Sequence, residues 1–247
     1  MSQNLIHPTD VPVAHTLRFL LDALPAPGLR VLEVGCGKGA VAARLKAQGL
    51  HVTALDTSAE AVAAARERGV EAIEADFLAF AGDPYDAVVF TRSLHHLQSL
   101  EGALERAHQL LRPNGVLVLE EFAIERMDGA TARWFFDLRA LLEAAALMPV
   151  APALEPPPRD TLERWFREHD GEEPIHPGAE MLAELGRRFE TLQRVDAPCL
   201  YRHVCDRIEA SERGLQVAQQ VFEIESRRVA EGSLQPLGLR VVARRRD

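Results

Sequence analysis

Residues 31–39 read Val31-Leu32-Glu33-Val34-Gly35-Cys36-Gly37-Lys38-Gly39. Val31 to Val34 is a short apolar run ended by glycine, the pattern of a buried strand. Gly35, Gly37 and Gly39 then permit a tight turn that brings backbone N–H groups close to a ligand. Residues 40–47 read as a helix, so a ligand held by the turn meets a helix N-terminus. A dinucleotide fingerprint spaces its glycines G-x-G-x-x-G to admit a pyrophosphate. The run here is E-x-G-x-G-x-G, and the third fingerprint position holds Ala40, which that fingerprint sometimes allows. Glu33, two places before the first glycine, would repel a pyrophosphate but suits a ligand carrying an ammonium group.

On either side of this turn the chain alternates strand and helix. Strand patterns fall at 31–34, 51–55, 71–74, 87–90 and 115–121, with helices at 39–47, 59–68 and 100–110. That alternation implies a parallel sheet with both faces covered. Val88-Val89-Phe90 and Val116 to Leu119 are unbroken apolar runs, as strands buried on both sides require. The turn Pro113-Asn114-Gly115 precedes the fifth strand. Upstream, residues 1–9 read as a loose arm. Asp10 can cap a helix with Pro12 in its first turn and Leu17, Leu20, Leu21 and Leu24 on one face. Arg18 on that helix can reach a ligand carboxylate, although a solvated charge is the plainer reading.

After Glu121 the rhythm changes. Helices are expected at 130–147, 161–169, 178–187 and 206–230, a proline-rich connector at 149–158, and strands at 189–195 and 239–243. The expected architecture is therefore a doubly wound, mostly parallel seven-stranded α/β sheet interrupted by two helical excursions. Its α/β domain takes residues 1–122, 178–199 and 238–247. Residues 123–177 and 200–237 form a helical cap.

Asp56 ends the second strand about twenty residues past the glycine turn, where a carboxylate can accept hydrogen bonds from both hydroxyls of a ribose. The alternative is a cap on the next helix, for which Thr57 or Ser58 would serve equally. The fourth strand and its exit read Asp86-Ala87-Val88-Val89-Phe90-Thr91-Arg92-Ser93-Leu94-His95-His96-Leu97. His95 or His96 is a candidate general base, because imidazole titrates near neutral pH. The pair can equally orient the loop. Glu120 and Glu121 end the fifth strand at the expected mouth of the site, and at least one of them reads as simply solvated.

The glycine turn, the Leu-His-His-Leu run and residues 111–121 with their Pro-x-Gly turn together resemble the class I S-adenosylmethionine-dependent methyltransferases, close to the type 11 group. The resemblance covers residues 17–122 and, more thinly, the final strands. It implies cofactor contacts from Glu33, Gly35, Cys36, Gly37 and Gly39 at the turn, and from Asp56 and Thr57 at the ribose. It implies that Asp76 takes the adenine amino group with Phe77 packed on the base, and that Thr91 and Arg92 face the methionine end. A strand-exit carbonyl would accept from the ammonium group, and Glu33 could do so through a water. Trp134, Phe135, Tyr201 and His203 in the excursions can line an acceptor pocket or form the cap's own core.

Composition narrows the partners. The chain carries 28 Lys and Arg against 37 Asp and Glu, a net charge of −9, which argues against a nucleic-acid groove. No apolar run is long enough to span a bilayer and no signal peptide is legible. Cys36, Cys199 and Cys205 fit no paired-cysteine spacing and read as reduced thiols of a cytoplasmic protein. No ligand spacing suggests a metal. The expected function is methyl transfer from S-adenosylmethionine to a small organic molecule through O, N or C, with S-adenosylhomocysteine as product and with a homodimer allowed. The alternatives are an NAD-dependent enzyme of the same fold and a methyltransferase-like domain that binds without turnover.

Overall fold

The computed structural model describes residues 6–169 and 175–246. The elements run α1 (Asp10–Ala23), β1 (Arg30–Val34), α2 (Ala40–Ala47), β2 (His51–Asp56), α3 (Ala59–Glu67), β3 (Glu71–Glu74), β4 (Tyr85–Thr91), α4 (Leu100–Leu110) and β5 (Leu111–Phe122). They continue α5 (Gly129–Ala144), α6 (Thr161–Glu168), α7 (Gly178–Arg188), β6 (Phe189–Ala197), α8 (Tyr201–Cys205), α9 (Glu212–Ala230) and β7 (Gly238–Arg245). The described parts of residues 15–123, 174–195 and 239–247 form one compact unit, and those of 1–14, 124–173 and 196–238 a second. Residues 6–14 thus group with the helical unit, where the sequence division left them in the α/β part.

The α/β unit is built on a seven-stranded sheet of order β3-β2-β1-β4-β5-β7-β6. β1 pairs in parallel with β2 on one side and β4 on the other, so the winding direction reverses between β1 and β4. In doubly wound sheets the crevice at such a switch point, outside the carboxyl ends of the strands, is where ligands bind.

Strand alternation sorts the core into two layers. Leu32, Val34, Val88, Phe90, Leu117 and Leu119 face one layer with the buried leucines and alanines of α4 and with Met181 and Leu185 of α7. Val31, Ala54, Ala87, Val89 and Val118 face the other, against Leu17 and Leu20 of α1, Ala42 and Leu45 of α2 and Val62 and Ala65 of α3. Glu33 alternates onto this second, apolar side.

Two local expectations change in the structure. The turn at 113–115 lies inside β5, whose ladder passes from Leu111 opposite Tyr85 to Val116 opposite Ala87. Residues 112–115 therefore span the step that Asp86 makes alone, with Asn114 at φ 63°. The helix expected at 206–230 starts only at Glu212 as α9, and the short α8 ends before it, at Cys205. The Glu209 N–H donates to the Leu147 carbonyl at 2.9 Å, and the Ser211 hydroxyl caps α9 by accepting from Gly214 N at 2.9 Å. A tertiary bond and a serine cap outweigh helical propensity across 206–211. The expected loose arm lies partly outside the described residues. Within residues 6–10 the Asp10 carboxylate accepts from the N–H groups of Ile6 and His7 at 3.0 and 2.9 Å, so it secures the chain entering α1.

The helical unit has its own core. Phe135 packs edge-on against Trp165 and His203, at centroid distances of 5.5 and 6.0 Å. Tyr201 is fully buried against Phe222. Phe135 and Tyr201, which sequence reading offered to an acceptor pocket, are thus core residues of their own unit. Buried Arg139 spends all three nitrogens on carboxylates: Nε on Glu143, and Nη1 and Nη2 as a fork on Glu168. Glu168 is half buried, which raises its carboxyl, but bonds from Arg139 and Arg164 outweigh this and hold it below the ordinary value.

Candidate functional site

At the carboxyl ends of β1, β2 and β4 and beyond β3 lies a cleft of about 540 Å³. Gly35, Asp56, Asp76, Arg92, Ser93 and His96 are among its lining residues. Residues that the sequence singled out thus line one cleft, and each is held there differently.

The three glycines of the turn all have positive φ, at 69°, 51° and 73° for Gly35, Gly37 and Gly39. A Cβ on Gly35 would lie 2.4 Å from Ser93 Cβ, and one on Gly39 would lie 2.7 Å from Ala65 Cβ. Gly35 lets the β4 exit loop close on the turn, and Gly39 lets α2 pack on α3. Gly37 differs, because its missing Cβ faces open space. Its N–H donates to Asp56 Oδ2 at 2.8 Å, so the turn and the end of β2 hold each other.

Asp56 Oδ1 accepts from Ser58 N at 3.0 Å, while the hydroxyl of Ser58 caps α3. The cap role weighed for Asp56 thus belongs to Ser58. Two backbone bonds leave Asp56 about half of its roughly four acceptor positions. Asp76 Oδ1 accepts from Leu78 N at 2.9 Å, and among the described residues its Oδ2 has no partner. Thr57 also lines the cleft. Phe77 reaches the lining as well, but its ring is buried edge-to-face on Phe90 at 5.4 Å, inside the core. Cys36 is likewise turned inward: its thiol donates to the Gly37 carbonyl at 3.4 Å, and burial pushes it up to about 12. Only its backbone can serve a ligand.

Glu33 is 1% exposed. Its Oε1 accepts from Thr91 Oγ1 at 3.2 Å. Its Oε2 has no partner, and no other carboxylate among the described residues has such a buried orphan oxygen. Burial pushes the Glu33 carboxyl up to about 7, with smaller opposing contributions from Thr91, the Ala42 N–H and Arg92.

The wall beyond β4 is clamped from two sides. Arg92 opens it at φ 60°, a strained value for a residue with a side chain, and its N–H donates to the Glu120 carbonyl at 2.7 Å. Glu121 Oε1 accepts from the N–H groups of Ser93 and Leu94 at 3.0 and 2.8 Å, and Oε2 lies 2.5 Å from His95 Nδ1. From the other side, the His176 N–H donates to the His95 carbonyl at 2.9 Å and its Nε2 to the Leu97 carbonyl at 2.8 Å. The two candidate bases therefore part. His95 is buried in the clamp and positions the loop; His96 lines the cleft.

Neither strand-end glutamate is solvated. Glu121 is 1% exposed and Glu120 4%. Glu120 accepts from Arg240 Nε and Nη2 at 2.8 and 2.6 Å and from the Thr16 hydroxyl. Sequence reading missed Ser93 and His176. Their partners lie 59 and 79 residues away, so no local pattern marks them.

A family model described as a methyltransferase domain matches residues 7–171, well over half of the chain. The chain belongs to that family, the S-adenosylmethionine-dependent class I group that its sequence resembles. A ubiquinone biosynthesis O-methyltransferase of Xylella fastidiosa (strain 9a5c) is 36% identical over 111 residues, 41% of this chain and 45% of that protein. The chain spans about half the length of the curated relatives it matches. The fold is shared with N-methyltransferase NodS from Bradyrhizobium japonicum WM9, solved with S-adenosylhomocysteine, at TM-score 0.56 and 16% identity over 98% of this chain and 89% of that one. It is also shared with the [4+2]-cyclase SpnF, at TM-score 0.56 and 20% identity over 94% of this chain and 80% of that one.

The residues present fit the cofactor of this class. Asp56 has acceptor positions free for two hydroxyls, Asp76 Oδ2 is open to an amino group, and Gly37 leaves clear space for backbone approach. The orphan oxygen of Glu33 suits an ammonium group.

Proposed function

We propose that this chain is an S-adenosylmethionine-dependent methyltransferase acting on a small organic acceptor. The observation that carries the reading is the meeting, in one cleft below an E-x-G-x-G-x-G turn, of Asp56 and Asp76 with acceptor positions to spare. The bound cofactor supplies a methyl group already activated by its sulfonium. The chain's own task is then to hold the acceptor in line and exclude water. Asp56 binds the ribose hydroxyls, Asp76 the adenine amino group, and the backbone at Arg92 borders the amino-acid end. His96 is the histidine of the pair that faces the cleft, and it can take the proton from a hydroxyl or amine acceptor. His95 does not touch the cleft and keeps its neighbour in place.

The accepting atom in this reading is O, N or C. The relatives named above act as an O-methyltransferase and an N-methyltransferase. Among the described residues no helix is long and apolar enough to cross a membrane. Cys36, Cys199 and Cys205 are buried thiols, which supports a reducing, cytoplasmic setting.

Calorimetry with S-adenosylhomocysteine and with NAD tests the cofactor, and transfer of a labelled methyl group to a panel of small acceptors tests turnover. Binding of NAD in preference to S-adenosylhomocysteine would overturn the assignment. Tight S-adenosylhomocysteine binding without turnover on any acceptor class would favour a non-transferring domain, a use of the fold to which the likeness with the cyclase SpnF gives weight.

A further inference from the structure

The two edges of the sheet are guarded differently. β3, at one edge, has four residues with a glutamate at each end. Shortness and charge are common means of keeping a free edge from pairing. β6, at the other edge, runs nine residues from Phe189 to Ala197 and contains neither proline nor glycine. Glu190 to Asp196 are all exposed, Leu192 and Val195 among them at 49% and 42%.

One bond fixes the phase of this edge. The Arg246 N–H, just beyond β7, donates to the Arg188 carbonyl at 3.2 Å, so the backbone groups of residue 188 point toward β7. These groups alternate along a strand. Residues 190, 192 and 194 therefore also point toward β7, while 189, 191, 193 and 195 turn their N–H and C=O groups to the open side. A strand added antiparallel at this edge bonds to the odd residues. The even residues then fall in the non-hydrogen-bonded pairs, where facing side chains come closest.

Charge selects one register for a second copy. A two-fold axis at Leu192 sets Leu192 opposite itself and Glu190 opposite Arg194 on both sides of the axis, with Thr191 and Gln193 exchanging backbone hydrogen bonds. Neighbouring axes all set like charges together. An axis at 191 opposes Arg188 and Arg194, and one at 193 opposes Glu190 and Asp196. Axes at 190 and 194 oppose each of those residues to itself. Glu190 is steadied on its β7 side by Arg244 at 2.5 Å, and a carboxylate has positions for a second guanidinium.

We propose that β6 is a self-association edge: a second copy of this chain pairs antiparallel with it about a two-fold axis at Leu192, joining the two sheets into one. The contact is isologous, so it closes at two copies and leaves no further edge of this kind open.

The test is sedimentation of the full chain over a range of concentrations. A concentration-dependent dimer is expected with a dissociation constant of about 1–100 μM, because edge pairing alone is a small interface. Arg194→Glu sets glutamate against Glu190 on both sides of the axis and should weaken the dimer about tenfold or more. Gln193→Pro removes an outward N–H and keeps the ladder to β7, so the chain should stay folded and become monomeric. If the proline variant fails to fold, Arg194→Glu still decides, since its side chain is exposed. Under mild oxidation Leu192→Cys should cross-link the two copies, its Cα atoms lying about 4.5 Å apart across the axis. Val195→Cys should not, because its counterpart lies about 20 Å away in this register. The native Cys36, Cys199 and Cys205 are buried and do not compete. A chain that stays monomeric up to about 500 μM overturns the proposal. So does a dimer unchanged by Arg194→Glu, or one that Val195→Cys cross-links as readily as Leu192→Cys.

Discussion

Two buried glutamates set the α/β unit against the helical unit. Glu33 and Glu225 are each 1% exposed. Glu225, on α9, accepts three backbone hydrogen bonds: Oε1 from Cys199 and Leu200 at 2.7 and 2.8 Å, and Oε2 from Tyr201 at 2.7 Å. It closes the entry to α8. Glu33 has the Thr91 hydroxyl on one oxygen and nothing on the other. A satisfied buried charge is architecture; an unsatisfied one persists where some arriving group completes it. Arg139 repeats the first case in the helical unit, where every nitrogen has a carboxylate.

Removing the satisfied group should have the largest effect. Glu225→Ala strands three buried N–H groups and should cost about 3–5 kcal/mol, the range for breaking a buried charged network. Urea unfolding should show a far lower midpoint, and a loss of unfolding free energy below about 1 kcal/mol would erase the contrast with Glu33.

Gly37→Val comes next, and it acts on binding. Open space surrounds the missing Cβ, so the fold should survive with on the order of 1–3 kcal/mol of backbone strain at φ 51°. S-adenosylhomocysteine binding should drop by more than about a hundredfold, equivalent to about 2.8 kcal/mol. Asp56→Ala should weaken the same binding about ten- to a hundredfold, through lost ribose bonds and a loosened Gly37 N–H. Unchanged affinity in either variant moves the ligand elsewhere.

Glu33→Gln should do the opposite of Glu225→Ala in the ligand-free protein. The native carboxyl sits at about 7, above its ordinary 4.5, so the folded state binds more protons than the unfolded chain between these values. The contribution of Glu33 to stability is therefore complete below about pH 4.5 and is lost as pH rises through about 7. The glutamine variant lacks that loss. At pH 8 it should be about 1–3 kcal/mol more stable than wild type, and the gain should vanish toward pH 5. Thermal melts across pH check this, and a variant less stable than wild type at pH 8 would make Glu33 architectural after all.

His176→Ala should give the smallest change. It removes the bond to the Leu97 carbonyl and keeps the backbone bond to His95, a loss of about 0.5–1.5 kcal/mol. A several-fold rise in the S-adenosylhomocysteine dissociation constant, at most about tenfold, is expected with little change in unfolding midpoint. Glu121 should withstand the loss of His176 because its three bonds to the loop are untouched.

The α/β half was legible because its signals are local. A run such as Val31–Val34, a glycine triplet and an acid at the end of β2 each act within a few residues. Strand alternation then fixes which side chains share a layer. The helical half was less so. The break between α8 and α9 depends on the Glu209 bond to Leu147, and the fate of Tyr201 on Phe222, neither of which any window of sequence contains.

By itself the sequence determined the winding of the sheet, the place of the cleft and the positions of the three acids proposed to address a ligand. Backbone geometry and residue spacing decide these before any long-range contact forms. Only the tertiary structure decided which acid is satisfied. It buried Glu120 under Arg240 and Thr16, gave Glu121 to the clamp on His95, packed Phe77 edge-to-face on Phe90, and left one oxygen of Glu33 bare. The reason is physical: a carboxylate has the same lone pairs wherever it stands, and its charge state and its task depend on which donors and how much water the folded chain brings to it.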